Sequence, residues 1–305
     1  MFWNEQNMSC PGWYCGKIQL DDDKFSECGS CPRGYRRNDL TFICEPCTDS
    51  PQLYDWLYLG FMVLIVLILH WFFIDMIAMR RSFSVYVLSL HFTALIEVLL
   101  SCILALLLTD PIGSFQIYSC PTKSLSDWYT LFHNPTPNYD EKVYCTQEAV
   151  YPLYTIVFLF YILSLAFMLL IRPWVCKKFF SKRGKMSIYA AMYFIPILAL
   201  THAVIGGLIY YAFPYLIVII SVISSAAHFA VKIEQSVTAL IRTTVTQPRN
   251  IVILLGHWCL HAYGIISITQ LNQPLLHSLL MLLVPLPALF YVFTSRFTDP
   301  AKFYL

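Results

Sequence analysis

The sequence predicts an all-α polytopic membrane protein: seven transmembrane helices behind a small cysteine-rich luminal head, N-terminus luminal and C-terminus cytosolic. Three observations predict it. Of the 305 residues, 58% are hydrophobic and only 12% charged, with a mean hydropathy of +0.60, which leaves too little charge to cover a water-exposed surface. Seven runs approach the roughly 20 apolar residues that a bilayer-spanning helix needs. Six cysteines crowd residues 10–47, just ahead of the first run.

The runs fall at 54–77, 84–108, 151–171, 187–212, 214–231, 250–268 and 275–294. The fourth and fifth are parted only at Ala212–Phe213–Pro214–Tyr215, where Pro214 is expected to break the helix. Without that break the count is six, and both termini share one side of the membrane. Orientation follows the basic residues. With the head outside the cytosol, the cytosolic segments collect Arg80 and Arg81; Arg172, Lys177, Lys178, Lys182, Arg183 and Lys185; Lys232, Arg242 and Arg249; and Arg296 and Lys302. These are thirteen of the twenty basic residues. The expected organisation is a head over 1–50 and a membrane domain over 51–305, carrying a luminal loop 109–150 and a basic cytosolic loop 172–186. Met1–Asn4 leads into polar residues without the pattern of a cleaved signal, so run 54–77 is expected to export the head.

The head is too small to bury much apolar surface and needs cross-links or a metal. It looks doubled, with Cys10-Pro-Gly-Trp-Tyr echoed by Cys31-Pro-Arg-Gly-Tyr, a pattern that resembles cysteine-rich repeats of receptor ectodomains. The spacing Cys28-x2-Cys31-x12-Cys44-x2-Cys47 reads as a zinc ribbon in a reducing compartment and as crossed disulfides in the lumen. The topology favours disulfides. It places eight cysteines on the luminal side: Cys10, Cys15, Cys28, Cys31, Cys44, Cys47, Cys120 and Cys145. A Cys120–Cys145 bridge would close the 109–150 loop, and Trp128, Tyr129 and Phe132 are expected at the membrane interface. Asn7-Met8-Ser9 is a candidate glycosylation sequon.

On the cytosolic side, the basic strap 172–186 suits anionic lipid or a cytosolic partner. Segment 232–247 carries Ile233, Val237, Leu240 and Ile241 at the spacing of an amphipathic helix. Ionisable residues inside apolar runs are candidates for chemistry. His257 and His261, at i and i+4 on one helical face, have the spacing of a two-histidine metal site, and Glu97 could supply a third ligand or a base. The competing expectation is structural: Glu97 hydrogen-bonded within the bundle, with Glu97→Gln tolerated. Pro196, Gly206, Gly207, Pro285 and Pro287 are positioned to kink or closely pack helices. No phosphate loop, nucleophile elbow or His-Glu-x-x-His motif is present, and nothing points to nucleic acid.

Several segments carry a resemblance. Cys44-Glu-Pro-Cys-Thr-Asp-Ser-Pro-Gln-Leu-Tyr-Asp-Trp, Leu69-His-Trp-Phe-Phe-Ile, Ser126-Asp-Trp-Tyr-Thr, Glu148-Ala-Val-Tyr-Pro-Leu-Tyr, Tyr210-Tyr-Ala-Phe-Pro-Tyr, His261-Ala-Tyr-Gly-Ile-Ile-Ser-Ile and Pro287-Ala-Leu-Phe-Tyr resemble the Jun N-terminal kinase-associated membrane protein family, over nearly the whole chain. The resemblance implies a seven-span endoplasmic reticulum protein without enzymatic activity or cofactor. It implies partners in the proteasome, a membrane-bound RING ubiquitin ligase and Jun N-terminal kinase, in degradation of misfolded proteins and stress signalling. The alternative from the residues alone is an intramembrane zinc hydrolase on His257, His261 and Glu97. The terminal Phe303-Tyr304-Leu305 resembles the tails by which proteasome activators dock into the core particle.

Overall fold

The computed structural model describes residues 9–21, 24–78, 85–132, 145–179, 184–232 and 234–298. The described residues form two compact units, the first up to residue 209 and the second from 210 onwards.

In the first unit the head is built from three short antiparallel ribbons. β1 (Cys15–Gly16) pairs with β4 (Gly29–Ser30), β2 (Gln19–Asp21) with β3 (Lys24–Phe25), and β5 (Tyr35–Arg37) with β6 (Cys44–Pro46). Two-stranded ribbons this short are not stable alone. The cysteines supply what they lack. Four disulfides form: Cys10–Cys28, Cys31–Cys44, Cys15–Cys145 and Cys47–Cys120. The expected Cys120–Cys145 bridge is not made, because each of the two pairs back to the head. Two covalent ties therefore join the head to the 109–150 loop. Gly16 lies against the Cys31–Cys44 bridge, where an added Cβ would come within 2.7 Å of the Cys44 sulfur.

Below this module stand α1 (Leu53–Ala78), α2 (Val85–Leu107) and α3 (Leu153–Phe179). Asp55 in the first turn of α1 accepts the Gln52 N–H at 3.0 Å, satisfying an otherwise orphaned donor. The three helices pack pairwise. Tyr58, Met62 and Val66 of α1, Ala94, Val98 and Ala105 of α2, and Phe160, Tyr161 and Met168 of α3 are buried between them. Other apolar side chains, such as Ile162 and Leu170, stay exposed, as expected where hydrocarbon is the solvent. The third run extends past its predicted end, so the first part of the expected 172–186 loop is helical.

In α4 (Gly184–Ala230) the break expected at Pro214 does not occur. The irregular residue of this helix is Ile205 (φ −122°, ψ 20°), just ahead of Gly206 and Gly207. Proline is tolerated in membrane helices where neighbouring groups re-satisfy the freed carbonyl. Among the described residues six helices are long and apolar enough to cross a membrane, by length and composition. The 47 residues of α4 are more than twice the roughly 20 that one crossing needs.

The second unit takes the rest of α4 with α5 (Val237–Thr246), α6 (Pro248–Thr269), α7 (Pro274–Leu280) and α8 (Leu286–Thr298). The last apolar run is thus interrupted: a 3-10 turn at Met281–Leu283 and Pro285 separate α7 from α8. α5 is capped by Ser236, whose hydroxyl accepts the Ala239 N–H. Its Val237 and Leu240 pack with Phe229, Ala288 and Val292, while Ile241 is exposed. Ile233 of the predicted amphipathic pattern lies outside the described residues. Gly264 lets α6 approach α4 closely, since a Cβ there would fall 2.6 Å from Val218 Cγ2.

Candidate functional site

The head and loop are held by a buried ion pair as well as by disulfides. A 3-10 turn at Leu125–Trp128 presents Asp127. Its Oδ2 accepts the Lys123 and Ser124 N–H groups at 2.8 and 3.1 Å. Arg36 Nη2 donates to both carboxylate oxygens at 3.2 Å, and the Tyr14 hydroxyl to Oδ1 at 3.1 Å. Arg36 Nη1 reaches the Pro121 carbonyl at 2.6 Å, and Cys31 N–H donates to Gln147 Oε1 at 2.7 Å. Burial, with the Asp127 charge adding to it, pushes the Tyr14 hydroxyl up to about 12. Sequence reading missed this pair. Ser124-x-x-Asp127 is a legible capping signature, but Arg36, 91 residues away, carries no local signal.

Close by, Glu148 accepts the Thr155 N–H at 2.8 Å and the Thr155 hydroxyl, which caps the first turn of α3. Burial raises its pKa, opposed by the Thr155 bonds and by Arg33. Trp128, expected at the interface, is instead buried against Tyr58, Tyr154 and His202. It fits because position 207 has no side chain: a Cβ on Gly207 would lie 2.6 Å from Trp128 Cβ. Around the irregular Ile205, Tyr154 Oη donates to the Ala203 carbonyl at 3.1 Å, and His202 Nε2 lies 3.1 Å from the Tyr154 carbonyl. The loop's tryptophan thus plugs the α4 irregularity.

Deeper in the bundle, Glu97 of α2 meets Arg172 of α3, both fully buried. Arg172 Nε donates to Glu97 Oε1 at 3.2 Å, Nη2 donates to Oε2, and Nη1 donates to His70 Nδ1 of α1 at 3.1 Å. Because arginine is always the donor, His70 accepts on Nδ1 and carries its proton on Nε2. Arg172 was expected on the cytosolic strap; it is a bundle residue that ties three helices, since a charge in the membrane interior needs a partner.

That pairing removes Glu97 from the predicted metal set. His257 Nδ1 lies 3.0 Å from Ser224 Oγ, and its ring stands 6.2 Å from that of His228. His261 is buried one turn on. Among the described residues no three His, Cys, Asp or Glu side chains gather where they could hold a metal. Of the strap, Lys177, Lys178 and Lys185 are exposed, with Lys178 stacked over Trp174 at 5.1 Å. Lys182 and Arg183 lie outside the described residues, as do Asn7 and Phe303, Tyr304 and Leu305.

Fold and site define a helical membrane protein whose head and first long loop are cross-linked into one polar module, with a charged cluster buried between the first three helices. The chain belongs to the JNK1/MAPK8-associated membrane protein family, whose sequence profile matches residues 10–300. It is 48% identical to the JNK1/MAPK8-associated membrane proteins of Mus musculus (304 residues) and Homo sapiens (303 residues), covering 96% of this chain and 95% of each relative. It is 32% identical to the Caenorhabditis elegans homolog over 277 residues, 90% of this chain and 84% of that protein. No solved structure matches it significantly.

Proposed function

We propose that this protein is an endoplasmic reticulum membrane adaptor in the degradation of misfolded proteins. In this reading it gathers the proteasome and a membrane RING ubiquitin ligase, and modulates Jun N-terminal kinase stress signalling. One observation carries the reading: α3 has a disulfide-bonded module at its start and exposed lysines at its end. Disulfides belong to an oxidising compartment, and exposed lysines beyond a span belong to the cytosol. A helix of 27 residues covers about 40 Å, enough to join the two sides. The Cys15–Cys145 and Cys47–Cys120 ties support placing head and loop on one side, with two spans between them. Association with the kinase is supported by the names of the relatives.

The protein acts in this reading by binding, without catalysis or cofactor. Support comes from Glu97, whose carboxylate is taken up by Arg172. Lys177, Lys178, Lys182, Arg183 and Lys185 are the proposed cytosolic contact, for partners or anionic lipid; in the seven-crossing reading, which places the C-terminus in the cytosol, Phe303, Tyr304 and Leu305 are a second proteasome contact. Proximity labelling from the 172–186 segment tests this: proteasome subunits, a RING ligase and the kinase are expected among the labelled proteins. Charge reversal at Lys177, Lys178 and Lys185 should deplete them. Unchanged recovery would overturn the strap, and loss on deleting Tyr304 and Leu305 instead would move the contact to the tail.

A further inference from the structure

The second unit contains a half-buried cation, Lys232, that forms no ion pair among the described residues. Gln235 folds back on the end of α4, its Nε2 donating to the Phe229 and Lys232 carbonyls at 3.1 and 2.6 Å. That cap leaves the Lys232 ammonium free of any helix-capping duty and turns it toward α5. There it donates to Thr244 Oγ1 at 3.1 Å and, more weakly, to Thr243 Oγ1 at 3.4 Å, and it lies 5.0 Å over the Phe229 ring. Every one of these partners is neutral. Burial lowers the Lys232 pKa.

Thr243 is also the hub for α6. Asn250 Nδ2 donates to its carbonyl at 2.9 Å, so the first turn of α6 is clasped to α5. Arg242 precedes Thr243 and Arg249 precedes Asn250 in sequence, and the charges of Lys232 and Arg249 both act on His228 near the end of α4. Segment 231–249 holds three cations and a single carboxylate, Glu234, which is exposed. The span-capable part of α4 ends at Ala230 and that of α6 begins at Pro248, which puts the corner at headgroup depth.

We propose that the corner between the end of α4, α5 and the first turn of α6 binds the phosphate of an anionic phospholipid headgroup, with Lys232 as the inner contact and Arg242 and Arg249 as the outer ones. Basic recesses between membrane helices bind such headgroups by charge and hydrogen bonding. The phosphate supplies a counter-charge that no described residue gives Lys232. This site is separate from the 172–186 strap, and it stands whether or not the chain recruits degradation machinery.

Native mass spectrometry of the full chain in detergent, titrated with phosphatidylserine, phosphatidylcholine or soluble glycerophosphoserine, tests it. Phosphatidylserine should bind in preference to phosphatidylcholine. About fivefold should be lost for each cation removed, roughly 25-fold for Lys232→Gln with Arg249→Gln, while Lys232→Arg retains binding. Retention of four disulfides and an unchanged melting curve exclude simple misfolding. Should the double variant not fold, Arg242→Gln, at an exposed position, carries the test with the same fivefold loss. Equal phosphatidylserine binding by these variants would overturn the site, as would loss of binding only on substituting Lys177 and Lys178. Equal competition by glycerophosphoserine would show a soluble phosphate ligand and overturn the lipid assignment.

Discussion

Among the described residues two arginine–carboxylate pairs are buried, and their surroundings differ. Arg36–Asp127 sits in the polar head–loop module, where the arginine keeps 15% of its side chain exposed. Its carboxylate has two backbone N–H donors and a tyrosine hydroxyl besides the guanidinium. Arg172–Glu97 sits among the helices with neither partner exposed, and His70 is a further hydrogen-bond partner of its arginine. In the module, charge is embedded in a network that would survive a partial loss. In the bundle, two charges rely on each other, and each left alone would face hydrocarbon. The same chemistry thus organises a loop in one place and holds three helices together in the other.

The largest expected effect comes from breaking the bundle pair. Glu97→Ala should lose about 3–5 kcal/mol by leaving Arg172 uncompensated, seen as a lowered melting temperature in detergent. Glu97→Gln should lose stability too, which revises the sequence-based expectation that it is tolerated: glutamine keeps the shape but not the counter-charge. Replacing both partners by leucine should cost less than either single change. Additive losses would show that the two charges are not coupled.

The module pair should be more forgiving. Asp127→Ala is expected to cost about 2–4 kcal/mol, because Arg36 retains carbonyl acceptors and some water. Limited proteolysis of the head reads this directly, and a loss equal to that of Glu97→Ala would erase the contrast. Smaller still is the seat of Trp128. Gly207→Ala should cost about 1–3 kcal/mol because the clash falls on Trp128 Cβ, next to its backbone, which cannot swing away. Gly29→Ala, with open space at its Cβ, is the control and should be near neutral.

The smallest effect is a pH dependence within the module. Glu148 holds its proton more tightly when folded than its ordinary value near 4.5, chiefly through burial. Between that value and the raised one the native state binds more protons than the unfolded state, so stability falls as pH rises through the window. Melting curves from pH 5 to 7 should show the decline, and Glu148→Gln should flatten it. A rise with pH in the parent protein would reverse the assignment.

How much was legible follows from how local each feature is. Apolar runs are local, so α1, α2 and α6 fall within a few residues of the sequence reading. The even set of eight cysteines was legible as a disulfide framework, but not its connectivity: Cys15 and Cys145 are 130 residues apart. The i, i+4 histidine pair looked like the site of interest, whereas the charged cluster that formed joins residues 75 and 102 apart. Arg172 was read as topology because it borders a basic stretch. Only with α3 continued to Phe179 does it point inward.

What the sequence by itself determined is the solvent of each segment. Composition over about 20 residues assigns a helix to the bilayer, and the even set of cysteines points to a cross-linked head. What only the tertiary structure decided is which distant groups satisfy one another, and whether Pro214 breaks a helix. Proline removes one donor in any helix, but neighbours determine whether the freed carbonyl is a penalty. In α4 the irregularity lies at Ile205 instead, where glycines let Trp128 of a distant loop pack against the helix. A buried polar group costs free energy until its partner arrives from elsewhere in the chain, and those arrivals are settled by folding, not by local pattern.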